Sequence, residues 1–426
     1  MSGQETVSFA DAPFAIIDGD RGKNYPKREE FSASGHCLFL SATNVTKSGF
    51  NFSECQFIDK KRDSALNKGK LIREDVVLTT RGTLGNTAYF NDSVQYSHLR
   101  INSGMVILRC DRTKLLPAFL YHFVRSPSFH SQVNGLRSGV AQPQLPIQDM
   151  RKIRLPVPSI ATQHRIAGIL STYDDLIENS QRRIKILEAM ARGLYCEWFV
   201  HFRFPGYESH PCVASELGKI PQGWEVSTLG ANLAALESGK RPKGGIREEA
   251  DGIPSIGAEN INGIGKHEFA SEKFVPREFF EQMRKGVVRD RDVAIYKDGA
   301  YIGKSSYFRD GFPHSECCVN EHVFLLRGEG IRLKQNFLYI WLQEPGTVQA
   351  IRSKNANAAQ PGINQQTLGG LSLVLPDEKT AMYFDHLVEP LLAEIINLAK
   401  RIQNLRCTRD LVLPRLLAGQ ISVKTI

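Results

Sequence analysis

No apolar run in this chain of 426 residues reaches 18, so no bilayer-crossing helix is expected. Cysteine is scarce: there are eight, none in C-x-x-C spacing, and only Cys317 and Cys318 adjoin. That pattern excludes a disulfide frame or a cysteine zinc site and reads as reduced thiols in a cytoplasmic protein. The opening MSGQETVSFADAPF has neither the basic nor the apolar region of a signal peptide. Catalytic signatures are absent as well. There is no D/N-P-P-Y/F stretch, no G-x-G-x-x-G after a strand, no H-E-x-x-H and no G-x-S-x-G. The eleven histidines are dispersed; His210, His314 and His322 lack ligand-like spacing, and no metal is expected. Acidic residues are outnumbered, 45 against 54 Lys and Arg, for a net charge of +9 and a pI of about 9.1. Such an excess is compatible with a nucleic-acid partner. With 42% hydrophobic residues the chain can bury the cores of two or three ordinary domains.

One stretch approaches a phosphate loop. DGAYIGKSSYF (298–308) contains Gly303-Lys304-Ser305, but only three residues separate Gly299 from Gly303, and no helical period follows Ser306. The explanation lies in a repeat. RGTLGNTAYF (81–90) aligns with GAYIGKSSYF (299–308), with Gly85 on Gly303, Tyr89 on Tyr307 and Phe90 on Phe308, at a spacing of 218. Phe119-Leu120-Tyr121 and Phe337-Leu338-Tyr339, Gln142-Pro143 and Gln360-Pro361, and Pro158 and Pro376 keep the same spacing. SATN (41–44) resembles GAEN (257–260). A phosphate loop would not lose its lysine in one copy, so the repeated element is a β-hairpin with a Gly-containing tip. Asp75 and Asp292 precede paired strands and are expected in turns.

Each half ends in a heptad pattern. From Thr162 to about Trp198, Leu170, Ile177 and Ile184 recur every seven residues, with Tyr173, Ser180, Leu187 and Leu194 three residues on. Val388, Ile395 and Ile402, with Leu391, Leu398 and Leu405, repeat it in the second half, where Pro390 is expected to kink or start the helix. Two matched stripes predict an antiparallel pair. The fold class is α+β: two β-rich heads separated by two long antiparallel coiled-coil helices, with a pseudo-twofold internal repeat. The boundaries expected are 1–158 (first head), 159–203 (central helix), 204–376 (second head) and 377–426 (C-terminal helix).

Candidate DNA contacts are basic and amide residues in the loops, which suit phosphates and base edges. They are Arg21 and Lys23 in DGDRGKNYPKREE, and Lys240, Arg241 and Lys243 in its counterpart ESGKRPKGGIREE. The hairpin tips add Arg81, Thr83 and Asn86 in the first copy, and Lys297 and Lys304 in the second. Arg137, Lys354 and Asn355 precede the repeated Gln-Pro. The heads diverge between shared landmarks, which fits an asymmetric target.

DGDRGKNYP (18–26), RGTLGNTAYF (81–90), the stretch from LPVPSIATQHRIAGIL to EWFVHFRFPG (155–206) and LPRLLAGQISV (413–423) together resemble the specificity subunits of type I restriction–modification systems. The resemblance spans nearly the whole chain. It implies a non-catalytic chain whose two target-recognition domains each read half of a bipartite site in double-stranded DNA. It also implies helices that set the gap and dock two methyltransferase subunits, with restriction subunits added. S-adenosylmethionine, ATP and Mg would belong to those partners and no cofactor to this chain. The alternative is a two-headed coiled-coil scaffold that binds no DNA.

Overall fold

The computed structural model describes residues 6–139, 143–242, 252–299, 301–354 and 362–421. Internal contacts divide the chain into two units, Met1–Leu176 with Leu405–Ile426, and Ile177–Asn404.

In the first unit, four strands pair antiparallel in the order Phe14–Asp18, Met105–Cys110, Val76–Thr79, Thr87–Tyr89. The two central strands are apolar on both faces, as burial on both sides requires. Alternation sorts their side chains into two cores. Val76, Leu78, Val106 and Leu108 face a cluster with Phe119, Phe123 and Phe129, which lie on the helices Pro117–Phe123 and Pro127–Leu136. Val77, Met105 and Ile107 face Leu38, Leu40, Leu99 and Ile101. Those last residues belong to a three-stranded sheet, Phe57–Ile58, Cys37–Leu40, Leu99–Ile101, whose second pair is parallel. Thr6–Ser8 pairs with Arg154–Pro156.

The second unit repeats these three sheets. Its four-stranded order is Leu233–Ser238, Val323–Gly328, Val293–Tyr296, Ser305–Tyr307. Its three-stranded sheet is Phe274–Val275, Ile253–Ile256, Cys318–Val319, again with a parallel second pair. Glu225–Thr228 pairs with Ser372–Leu375. The internal repeat is therefore one of topology. Finer landmarks repeat too: Tyr89 stacks on Tyr121 at 5.4 Å, and Tyr307 on Tyr339 at 5.1 Å.

The carboxylates ahead of the hairpins do more than close turns. Asp75 accepts from the Ile72 amide and pairs with Arg109 at 2.8 Å; Asp292 accepts from the Arg289 amide and pairs with Arg327 at 2.6 Å. Arg327 lies 218 beyond Arg109, but Asp292 only 217 beyond Asp75. The constant spacing read from the sequence thus conceals one added residue. It sits in the second tip: Gly82 and Gly299 are 217 apart, Gly85 and Gly303 are 218 apart, and all four have left-handed φ between 73° and 91°. Arg81 corresponds to Asp298, not to Gly299, because Arg81 bridges Gln144 as Asp298 bridges Gly362. Ser305–Tyr307 is a strand, so no helix N-terminus follows the Gly-Lys-Ser.

The first long helix spans Ile160–Tyr195 and runs into a π-turn at Cys196–Val200. The second spans Glu378–Leu417. Pro390 does not start it, one of the two outcomes expected there. The start is set earlier by Asp377, whose carboxylate accepts from the Thr380 amide at 3.0 Å and its hydroxyl at 2.6 Å. Lacking an N–H, Pro390 leaves the His386 carbonyl without its helical donor. Burial of Phe384, Val388, Leu392 and Ile395 holds the helix through that defect.

The pairing is antiparallel. Within the second unit Arg183 reaches Glu394 at 2.7 Å, while Tyr195 and Trp198 lie on Phe384 at 6.2 and 5.7 Å. Within the first unit Asp174 meets Arg409 at 2.6 Å, and Ile166 and Leu170 share a core with Leu413 and Leu416. Leu170, Ile177, Ile184, Val388, Ile395, Leu398 and Ile402 are buried. Tyr173, Leu187, Leu194, Leu391 and Leu405 are half-buried.

Candidate nucleic-acid interface

Three segments converge on the hairpin tip in each head. In the first, the tip is closed by Thr79, whose hydroxyl accepts from the Asn86 amide at 3.0 Å and donates to the Thr83 carbonyl. The Thr80 amide donates to Gly104 O at 2.8 Å, joining the tip to the turn at 102–104. Arg21 donates to Ser103 O at 3.4 Å, bringing in the 18–23 loop. Gln144 bridges both Arg81 and Ser138, bringing in the segment after the Pro127–Leu136 helix. Arg21, Lys23, Arg81, Thr83 and Arg137 are all exposed. Arg21 is engaged with Asp18 at 3.0 Å.

The second head brings together the same three segments with different charges. Arg241 pairs with Glu321 at 2.8 Å, at the place where Arg21 meets Ser103. The Lys297 amide donates to His322 O at 3.1 Å, as Thr80 does to Gly104. Asp298, standing where Arg81 stands, accepts from Lys297 at 2.9 Å and contacts His322 Nδ1 at 3.0 Å. Lys240 and Lys354 are exposed, Lys354 just after the helix Pro345–Ser353 as Arg137 is just after Pro127–Leu136. The added tip residue leaves Tyr301 60% exposed, with Lys304 over its ring at 4.3 Å. The edges thus differ most at the tip, where Arg81 of the first stands in the place of Asp298 of the second, and Arg241 and Lys297 of the second are paired with acids.

Two candidates turn inward. The Asn86 side chain donates to Val45 O at 3.0 Å. Lys297 lies over Phe324 at 5.4 Å besides its contact with Asp298. Both hold the tip to the sheet. Lys243 and Asn355 lie outside the described residues. Lys304 also lines a cavity of about 270 Å³ in the second unit, with Arg192, Lys266, Arg352, Ser305 and Gln343. Lys266 there is paired with Glu188 at 2.9 Å. Sequence reasoning did not single out Tyr301, Arg192 or Arg352. The exposed aromatic in a tip lengthened by one residue was the signal available for Tyr301.

Comparison with known proteins agrees with this arrangement. Residues 14–189 match the family model of the type I restriction modification DNA specificity domain. The MjaIX specificity subunit of Methanocaldococcus jannaschii is 25% identical over 353 residues, covering 82% of this chain and 78% of that one. The HindI specificity subunit of Haemophilus influenzae is 21% identical, covering 95% and 98%. The chain is thus similar to type I specificity subunits along most of its length, and residues 14–189 carry the match to the family's DNA specificity domain. Members of that family are the non-catalytic chains of their complexes, and the enzymatic partners are separate chains. The fold of the chain matches the crystal structure of a type I S subunit from M. genitalium, with a TM-score of 0.57 at 15% identity over 97% of this chain and 95% of that one. Among the described residues, no helix is long and apolar enough to cross a membrane.

Proposed function

We propose that each head of the subunit reads one half of an asymmetric, interrupted site in double-stranded DNA. The observation that carries this reading is the doubled topology with unlike edges: the same sheets in the same order, presenting Arg81 in one copy and Asp298 in the other. A shared scaffold fixes how the three segments approach DNA, and the side chains at their ends choose the base. Arg21, Lys23, Arg137, Lys240, Arg241 and Lys354 serve phosphates and positioning, which sets register without sequence information. Arg81 and Thr83 reach base edges in the first half; an arginine fork matches the O6 and N7 of guanine. In the second half Tyr301 and Lys304 stand at the tip, and the Asp298 carboxylate, held by Lys297 and His322, suits the amino group of cytosine.

The antiparallel helices serve as the spacer that sets the gap between half-sites, and as the surface on which two methyltransferase subunits dock. The functional boundaries that go with this reading are 1–158, 159–203, 204–376 and 377–426. The methyltransferase subunits carry S-adenosylmethionine and extrude the target adenine for N6 methylation. Restriction subunits, with ATP and Mg, complete a cytoplasmic system. The test is a methylome. The chain is expressed with methyltransferase subunits of its system in a host free of adenine methylation, and N6-methyladenine is mapped genome-wide. A split, asymmetric motif that vanishes when the chain is omitted is expected. No new methylation from an assembled complex would favour a scaffold that does not read DNA.

A further inference from the structure

Among the described residues, the second head holds a cluster of three side chains able to ligate a metal: His267, Glu272 and His314. His267 Nε2 lies 2.6 Å from Glu272 Oε1, and His314 Nε2 contacts the same oxygen. All three donor atoms fall within 4.8 Å of one another. They come from separate segments. His267 and Glu272 flank the short turn Phe269–Ser271, and His314 stands on the loop leading to the strand Cys318–Val319. The His267 side chain is 2% exposed and that of Glu272 11%. The Phe269 ring lies against both imidazoles, with centroids at 4.6 and 5.8 Å.

The first head provides the internal control. Phe274 pairs with Pro254 as Phe57 pairs with Leu38, and Cys318 pairs with Ser255 as Arg100 pairs with Phe39. Counted from those partners, Glu272 takes the place of Cys55 and His314 the place of Tyr96. In the first head Cys55 Sγ and Tyr96 Oη are 3.8 Å apart, and Tyr96 packs on Phe52 and Phe57 at 4.9 and 5.8 Å. The scaffold is therefore satisfied there by an aromatic cluster. In the second head the same place holds a carboxylate and two imidazoles, a set that is costly to bury and that packing does not demand.

We propose that His267, Glu272 and His314 bind a zinc ion, which ties the two segments together in the second head only. Two imidazoles and one carboxylate form a nitrogen and oxygen set suited to zinc, with a fourth position left to water. Zn–N bonds of about 2.0–2.1 Å place tetrahedral donors roughly 3.3 Å apart, so the His267–Glu272 separation of 2.6 Å needs to open by less than about 1 Å.

The test uses the full chain, analysed for zinc as purified, then stripped with a chelator and titrated with zinc alone. Calorimetry, thermal unfolding and X-ray absorption at the zinc edge are recorded. One zinc per chain is expected, with a raised melting temperature, an imidazole-containing nitrogen and oxygen shell, and no sulfur. Glu272→Gln and His314→Gln should each weaken zinc affinity by at least about tenfold, since even outer-shell changes cost that much. The double variant Cys212→Ser, Cys407→Ser removes the two exposed thiols and should keep the affinity. If stripping unfolds the chain, zinc should restore the fold. Absence of stoichiometric zinc, a sulfur-containing shell, or unchanged affinity in the Glu272→Gln and His314→Gln chains would overturn the proposal.

Discussion

Glu389 anchors the second long helix to its head, and removing it should be felt throughout that unit. Its carboxylate accepts from Arg309 and Arg291, each at 2.7 Å, and from Asn336 at 2.8 Å. The Arg309 side chain is only 2% exposed, while that of Glu389 is 31% exposed. Breaking a buried pair by deleting one partner costs about 3–5 kcal/mol. Asp310 stays within 3.0 Å of Arg309 and Glu389 is partly solvated, so about 2 kcal/mol is expected for Glu389→Gln. Restoring apolar contact at both positions, with Glu389→Leu and Arg309→Met together, should recover most of it. Urea unfolding followed by tryptophan fluorescence is the assay, because Trp198, Trp224 and Trp341 all lie in the second unit. Acid gives an independent reading. Burial raises the Glu389 carboxyl, but hydrogen bonds from Arg309 and Asn336 and the nearby guanidinium charges outweigh it, and the pKa falls from 4.5 to about 2. The unfolded chain then binds the proton first. The stabilisation is complete above about pH 4.5 and is lost as pH falls towards 2; discounted for exposure it is again about 2 kcal/mol. A Glu389→Gln chain within about 0.5 kcal/mol of the parent, with a superimposable acid profile, would refute the argument.

Other expectations follow from the same structure. Arg81→Ala should weaken discrimination at one half-site by about 1–3 kcal/mol and leave the other intact, as read from methylation of duplexes altered in either half; equal loss in both would contradict two independent readers. Pro390→Ala should raise stability by about 1–3 kcal/mol, since alanine returns a donor to the His386 carbonyl; a lower urea midpoint would show that the helix needs its proline. His122 faces Asp174, Arg125 and Arg409 and contacts Ser171 Oγ at 3.2 Å. Burial lowers its pKa from 6.5 to about 4, so the unfolded chain takes the proton first and stability falls as pH drops through that window. His122→Gln should flatten the difference in urea midpoint between about pH 5 and about pH 7.5 by the equivalent of about 2 kcal/mol; an unchanged slope would assign the acid sensitivity elsewhere.

The repeat and the helices were legible because they rest on residues with no substitutes. Gly82, Gly85, Gly299 and Gly303 occupy left-handed positions, and the stacked tyrosines recur beside them. Heptad positions declare themselves by period alone. The added residue in the second tip was not legible, because landmarks on its far side keep a uniform spacing; only strand registers and the Asp292–Arg327 pair reveal it. Pro390 misled because proline is a strong boundary signal, whereas the cap at Asp377 depends on the geometry of one carboxylate. In the candidate interface, residue type could not separate outward from inward. Asn86 and Lys297 look like DNA contacts until Val45 O and the Phe324 ring are seen to occupy them. The convergence of three segments, and of His314 with His267 and Glu272, comes from long-range topology, which spacing along the chain does not encode.

The spacer role is tested most directly by lengthening both helices in register. Arg183 meets Glu394, so seven residues added after Ile184 must be matched by seven added beside Glu394. One heptad keeps the buried stripes in phase and lengthens each helix by about 10.5 Å. At about 3.4 Å per base pair that is up to roughly 3 base pairs. Methylome mapping should then return the same two half-motifs separated by a longer gap. The same half-motifs at the original gap would contradict the claim that the helices set the distance between two readers.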